Sequence, residues 1–131
     1  PDRRVAATMD AAVPAVGSDR LARYMGYTGK NVTVAVIDSG VAPVPGLDGP
    51  DKIIYGPDLS LESQAPNLAH LDTNGHGTFM AGLIAGRPTS SEPGAYQGIA
   101  PDARIINVKV GDAIGRADVS QVIAHVERAL G

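Results

Sequence analysis

Seven residues, Asn31 to Ile37 (NVTVAVI), constrain the fold more than any other stretch. They are dense in β-branched side chains and nearly all apolar towards their end, the pattern of a strand buried on both faces in a parallel sheet. The run stops at Asp38-Ser39-Gly40, which puts a carboxylate at the carboxyl end of that strand. In open α/β sheets, active sites collect at this edge. Taken alone, Asp38 reads equally well as a turn residue or a helix cap.

A second stretch, Asp72 to Gly86 (DTNGHGTFMAGLIAG), gives that carboxylate a possible partner. Asn74 and Gly75 make a turn, His76 opens a helix, and Phe79 to Ala85 form its body. Phe79, Met80, Leu83 and Ile84 are apolar at helical spacing, while Gly77, Ala81, Gly82 and Ala85 allow another element to pack closely. An imidazolium is disfavoured at the positive end of a helix, so His76 tends to stay neutral and able to accept a proton. By itself, a single His at a turn is more often structural or solvated than catalytic.

The remaining chain supplies the frame. Pro1 to Val16 is Ala-rich without a helical stripe and reads as an extended leader, with residues 1–17 set apart from 18–131. Ser18 to Gly26 reads as a short helix, with Ser18 as N-cap, Leu21, Ala22 and Met25 as its stripe, and Gly26 closing it. Tyr27 to Lys30 is a turn. Lys52 to Tyr55 (KIIY) is a short strand after a Pro/Gly loop, and Gly56-Pro57-Asp58 turns the chain. Leu59 to Leu71 reads as surface loop, with His70 solvated, and Arg87 to Gln97 as an exposed excursion. Ala103 to Val110 (ARIINVKV) is a further apolar strand, and Gly111 to Ala117 a flexible loop. Asp118 caps a last helix to Gly131, with Gln121 placed as in a capping box, Val119, Val122, Ile123, Val126 and Leu130 as its stripe, and His125 facing solvent.

The order helix, strand, strand, helix, strand, helix predicts an α/β fold with a mostly parallel sheet. The strand at 103–110 should lie parallel to that at 31–37, reached through a right-handed crossover over the His76 helix. Asp38 and His76 then share the carboxyl edge of the sheet. No internal repeat is present. The net charge of −3 comes without a basic stripe and argues against nucleic acid as a partner. The chain holds no cysteine, which excludes disulfides and thiolate metal sites, and no apolar run reaches the roughly 18 residues of a membrane span.

Three segments, Val34 to Val41 (VAVIDSGV), Asn74 to Gly86 (NGHGTFMAGLIAG) and Gly98 to Val110 (GIAPDARIINVKV), resemble the catalytic-Asp, catalytic-His and following-strand motifs of the subtilisin-like serine proteases. Tyr27 to Asn31 resembles the turn before the first core strand of those enzymes. The resemblance covers residues 18–131 and implies a serine endopeptidase with a polypeptide substrate. It makes Asp38 the acid and His76 the base of an Asp-His-Ser triad. Ser39 would help hold the acid, and Thr78 would buttress the helix start. Gly115, Arg116 and Ala117 fall where the family pairs an extended segment with the substrate backbone, a mode tolerant of side chain. The leader PDRRVAATMDAAV resembles the end of a propeptide, which would itself be a partner, and family habit implies secretion.

Two departures qualify the resemblance. Nothing in the chain resembles the Gly-Thr-Ser segment of the nucleophile or the oxyanion-hole Asn, since Ser39, Ser60, Ser63, Ser90, Ser91 and Ser120 sit in other contexts. The expectation is therefore a partial three-layer fold, incomplete at residue 131 and inactive alone, that packs against the missing part or self-associates through an unpaired strand edge. Phe79 also stands where many relatives carry a second His. No cofactor is required for the chemistry, and the metal-ligand set is none. A structural calcium lacks a clear ligand loop, because Arg87 to Gln97 offers only Glu92 and the spacing of Asp48, Asp51, Asp58 and Asp72 matches no single loop. The competing reading is a non-catalytic, truncated or pseudoprotease domain that acts in binding. A phosphoryl-accepting role for Asp38 lacks a neighbouring acidic residue, and a dinucleotide fold lacks G-x-G-x-x-G.

Overall fold

The computed structural model describes residues 9–91, 95–120 and 122–124. Its elements are α1 (Met9–Val16), α2 (Ser18–Met25), β1 (Thr33–Asp38), β2 (Ile53–Asp58), a 3₁₀ turn (Leu61–Gln64), α3 (His76–Ala85) and β3 (Arg104–Lys109). The three strands form one sheet in the order β1-β3-β2, all parallel. The expected pairing of the first and last strands is present, with Val36 opposite Asn107 and Asp38 opposite Lys109.

The buried face of the sheet carries Val36 and Ile105, and α3 packs on β1 and β3. The helix reaches them through its small residues, since Gly77, Ala81 and Ala85 are its buried positions. Phe79 on the same helix is 61% exposed. Val41, Leu47 and Ala103 complete the buried core, with Val34, Ile53, Ile84 and Ala100 against its margin. The closeness of the packing is plain at Gly77, where an added Cβ would lie 2.1 Å from the Gly40 carbonyl oxygen.

Several expectations need correction. Residues 9–16 are helical rather than extended; the Ala-rich segment forms α1 against α2 despite Pro14. Ser18 is the first residue of α2, not its cap: Gly17 holds the cap position in the left-handed region and the Ser18 hydroxyl donates to Val13 O at 3.3 Å. The predicted stripe of α2 buries nothing. Gly26 does close the helix, left-handed, with its N–H on Ala22 O and the Tyr27 N–H on Leu21 O. The strand β1 is buried on one face only: α3 covers the face that carries Val36, while Ile37 on the opposite face is 55% exposed. The strand β2 runs on through Gly56-Pro57-Asp58 with a register shift; as an edge strand it tolerates a proline that cannot donate. His70 is not solvated: it is half-buried and left-handed (φ 61°), its ring edge-on to Tyr55 and its Nδ1 buried. Beyond Asp118, which accepts the Ser120 N–H at 3.0 Å as a cap should, residues 119–120 and 122–124 are helical. Gln121, His125, Val126, Leu130 and Glu92 lie outside the described residues.

Two buried lysines tie the loops to the sheet. Lys52 Nζ donates to Pro101 O at 2.7 Å and Ala103 O at 2.8 Å, and burial, aided by the nearby Arg87 guanidinium, pushes its amine down to about 8. Lys109, at the end of β3, has no exposed side-chain surface. Its Nζ donates to Ser39 O at 2.9 Å and Leu71 O at 2.8 Å and pairs with Glu62 at 2.8 Å. Glu62 also accepts Thr73 Oγ1 at 2.7 Å and the Ala113 N–H at 3.1 Å. The Lys109 hydrogen bond, foremost among these donors, holds the Glu62 carboxyl below its ordinary value of 4.5.

Two predictions follow from this packing. Gly77→Ala should destabilise the protein by roughly 1–3 kcal/mol in urea unfolding through overpacking. Gly82→Ala, whose Cβ would meet only Tyr96 Oη at 3.5 Å, should gain about 0.5–1 kcal/mol from helix propensity. Equal effects would disprove the account of the helix contact. The folded chain holds the Glu62 proton more weakly than the unfolded chain. Its stabilising contribution is therefore complete above the ordinary 4.5 and is lost as pH falls through the folded value. In urea titrations between neutral pH and about pH 3, Glu62→Gln should flatten this acid limb; an unchanged slope would refute the pairing.

Candidate active site

Asp38 is the last residue of β1 and His76 the first of α3. Parallel pairing with β3 fixes the first, and the small-residue face of α3 sets the second against it. His76 Nδ1 lies 2.9 Å from both Asp38 Oδ1 and Oδ2. The carboxylate can only accept, which assigns the proton to Nδ1 and leaves Nε2 of the neutral ring with a free lone pair. No hydrogen bond to Nε2 is made among the described residues. The imidazole side chain is 61% exposed against 21% for Asp38, so the acid is sheltered and the base is open.

The loops around the pair are held by a dense set of hydrogen bonds. The Ser39 N–H donates to Asp38 Oδ1 at 2.7 Å, whereas its hydroxyl turns away and donates to Asp72 Oδ1 at 2.8 Å. Gly75, the residue before α3, is left-handed (φ 96°) and offers no side-chain cap. The first N–H groups of α3 find acceptors elsewhere: His76 on Asn74 Oδ1 at 3.3 Å, Gly77 on Ser39 Oγ at 3.0 Å and Thr78 on Asp72 Oδ2 at 2.8 Å. Asp72 also accepts the Thr78 hydroxyl and the N–H groups of Asn74 (3.2 Å) and Gly75 (2.8 Å). Burial works to raise the Asp72 carboxyl, but these hydrogen bonds outweigh it and hold the group below 3.8. Thr78 Oγ1 in turn accepts the Ala42 N–H at 2.9 Å.

Gly111 to Ala117, expected to be flexible, is a tight turn closed by an antiparallel bridge between Gly111 and Ala117. Asp112 organises it. Its N–H donates to Arg116 O at 2.9 Å, its Oδ1 accepts the Arg116 N–H at 2.9 Å, and its Oδ2 pairs with the Arg116 guanidinium at 2.9 Å. The Arg116 N–H, first among the donors, holds the Asp112 carboxyl low. Gly115 is left-handed (φ 77°) with its N–H on Asp112 O. Gly115 and Ala117 join Asp38, Ser39, Asn74, His76, Val110 and Gly111 around a cavity of about 400 Å³. Arg116 does not line this cavity; with Asp112 it lines a neighbouring one.

Sequence reasoning passed over Asp72 as a structural centre and missed Lys109, Glu62 and Asp112. The spacing Asp72-Thr73-Asn74-Gly75 was a signal for the first, because an Asp before a turn accepts N–H groups two and three residues on. Among the described residues, no three His, Asp or Glu side chains gather as a metal ion would require. Asp58 is engaged by the Ser60 and His70 N–H groups at 3.0 and 2.7 Å.

Comparison with known proteins finds serine proteases among the relatives of this chain. Over 127 residues, the chain is 39% identical to serine protease AprX of Bacillus subtilis, covering 96% of this chain and 27% of that protein. It is 34% identical to minor extracellular protease Epr of the same organism over 78% of this chain and 14% of Epr. With subtilisin E, again from Bacillus subtilis, it shares 37% identity over 80% of this chain and 25% of the relative. The chain thus spans about a quarter or less of the length of these relatives. The description of the subtilase family matches residues 29–130, and the chain belongs to that family.

Proposed function

We propose that the chain supplies the acid and the base of a serine endopeptidase acting on polypeptides. The observation that carries this reading is the Asp38 carboxylate on His76 Nδ1 at 2.9 Å, with the other ring nitrogen unpaired beside an open cavity. In this reading, Nε2 takes the hydroxyl proton of a serine nucleophile as the oxygen attacks the scissile carbonyl carbon. The same proton then passes to the leaving amine as the C–N bond breaks. Asp38 keeps the ring in the required tautomer and stabilises the imidazolium formed during attack. No cofactor enters these steps.

The nucleophile is assigned to sequence outside these residues. The hydroxyls of Ser39, Ser60, Ser63 and Ser120 donate to Asp72, Asp58, Ser60 O and Asp118 respectively, and none of these four donates to His76. Gly115 and Ala117, beside His76, suit an extended substrate strand along the cavity wall. The Arg116 backbone, already paired with Asp112, would shape that wall rather than bind. The peptidase segment begins at Ser18, and the leader and the remainder of the protease are its expected intramolecular partners. That the relative Epr is an extracellular protease supports action outside the cell, and no helix among the described residues is long and apolar enough to cross a membrane.

The test uses the full reading frame that encodes this chain. His76→Ala should lower kcat about 10⁶-fold and Asp38→Asn about 10⁴-fold, the scale seen for the same members of serine-protease triads. A fluorophosphonate should label a serine in the wild type and fail with His76→Ala. Retained hydrolysis in both variants would overturn the assignment. A wild type that is neither labelled nor active would leave a binding role. Gly115→Pro should raise KM for peptides, because proline cannot adopt the left-handed backbone and lacks the N–H bonded to Asp112; unchanged kinetics would remove the segment from the substrate site.

A further inference from the structure

We propose that Asp72 is a positioning residue for the reaction, holding Asp38 and His76 at their working separation by joining the two loops that carry them. This rests on the reading of Asp38 and His76 as the acid-base pair, and it assigns a role to a residue that touches neither side chain.

The argument begins with α3. A helix leaves its first N–H groups without internal partners, and a cap side chain usually takes one of them. Gly75 has no side chain to offer. The groups are met instead by Asn74, by Ser39 from the loop after β1, and by Asp72. Ser39 Oγ accepts from the Gly77 N–H at 3.0 Å and can therefore place its own proton only on another acceptor, which is Asp72 Oδ1 at 2.8 Å. The Ser39 N–H is meanwhile on Asp38 Oδ1 at 2.7 Å. One residue thus touches the catalytic acid with its backbone and the helix of the base with its hydroxyl, and Asp72 fixes the direction of that hydroxyl.

The second Asp72 oxygen repeats the link one residue further on. It accepts the Thr78 N–H and hydroxyl, and Thr78 Oγ1 accepts the Ala42 N–H from the same loop after β1. Backbone packing closes the arrangement, since a Cβ on Gly40 would sit 3.0 Å from both Asp72 N and Cα. Every donor facing Asp72 suits an ionised carboxylate, and its negative charge lies at the positive end of α3. This link lies at the mouth of the site and acts beside the Lys109 contacts to Ser39 O and Leu71 O, which tie the same two segments from beneath.

The test compares Asp72→Asn, Asp72→Ala, Ser39→Ala and His76→Ala in the full reading frame. Each sample is normalised by endpoint titration of active sites, so that loss of folded protein is not counted as loss of rate. Positioning predicts that kcat per titrated site falls about 10–100-fold in Asp72→Ala with KM within about twofold, the scale of an ångström-sized misplacement. Asp72→Asn, which keeps one acceptor oxygen, should recover part of the loss, and Ser39→Ala should fall between them. The low-field Nδ1 proton resonance of His76 should shift or broaden in the same order. If Asp72→Ala lowers the unfolding midpoint but leaves kcat per site and the His76 resonance unchanged, Asp72 is a structural cap only and the proposal fails. Should Asp72→Ala not fold, Ser39→Ala and Asp72→Asn decide by the same readouts. Activity retained in His76→Ala would instead defeat the acid-base reading, an outcome separate from any result at Asp72.

Discussion

An ammonium group sealed from solvent must be surrounded by acceptors, and Lys109 gathers them from three directions. The Ser39 carbonyl belongs to the loop after β1, the Leu71 carbonyl to the approach to α3, and the Glu62 carboxylate to the 3₁₀ turn. Removing a charge from water is costly unless it is both paired and hydrogen-bonded. The three loops therefore have little freedom to leave. Glu62 passes the constraint on to the Ala113 N–H, at the head of the turn that lines the cavity. One buried cation thus sets the floor under the candidate acid, the approach to the candidate base and the wall beside them.

That floor works only because β3 presents an unusual face. Its buried positions are Ile105, Asn107 and Lys109, which grow more polar towards the carboxyl edge. At the amino end, the apolar side chain packs with Val36 and the small face of α3 into the core. At the other end, the same alternation of a strand delivers a charge beneath the loops. Asn107 lies between these regimes and donates to His70 O at 3.3 Å. The sheet therefore changes from hydrophobic support to polar scaffold within six residues.

This gradient explains what was legible in the sequence and what was not. The run ending in Asp38 and the helix opened by His76 were readable because period and punctuation agree there: β-branched residues stop at Asp-Ser-Gly, and small residues recur at helical spacing. The parallel pairing followed from the order of elements. The buried roles of Lys109 and Asn107 were not readable, since simple alternation assigns polar strand residues to water and only tertiary partners reverse it. Ser18 was misjudged because Gly17 takes the left-handed cap position, and the turn around Asp112 because its order comes from one carboxylate rather than from periodicity. The Asp38–His76 contact was legible in outline, while the supports of each side chain were spread across segments whose meeting no local pattern announces.

The exposed imidazole is the consequence of that arrangement. The proposed role of His76 as a base asks it to stay open, and an open side chain on a helix end is free to choose other rotamers. Burying it would fix it but close the cavity. Here the constraint is placed on the neighbours instead. Asp38 is sheltered and held by the Ser39 N–H, α3 is anchored by Ser39 and Asp72, and the ring is bound at Nδ1 alone. Order is built into the neighbours of the ring rather than into the ring itself, which leaves Nε2 and the adjoining Gly115 and Ala117 accessible without leaving them adrift.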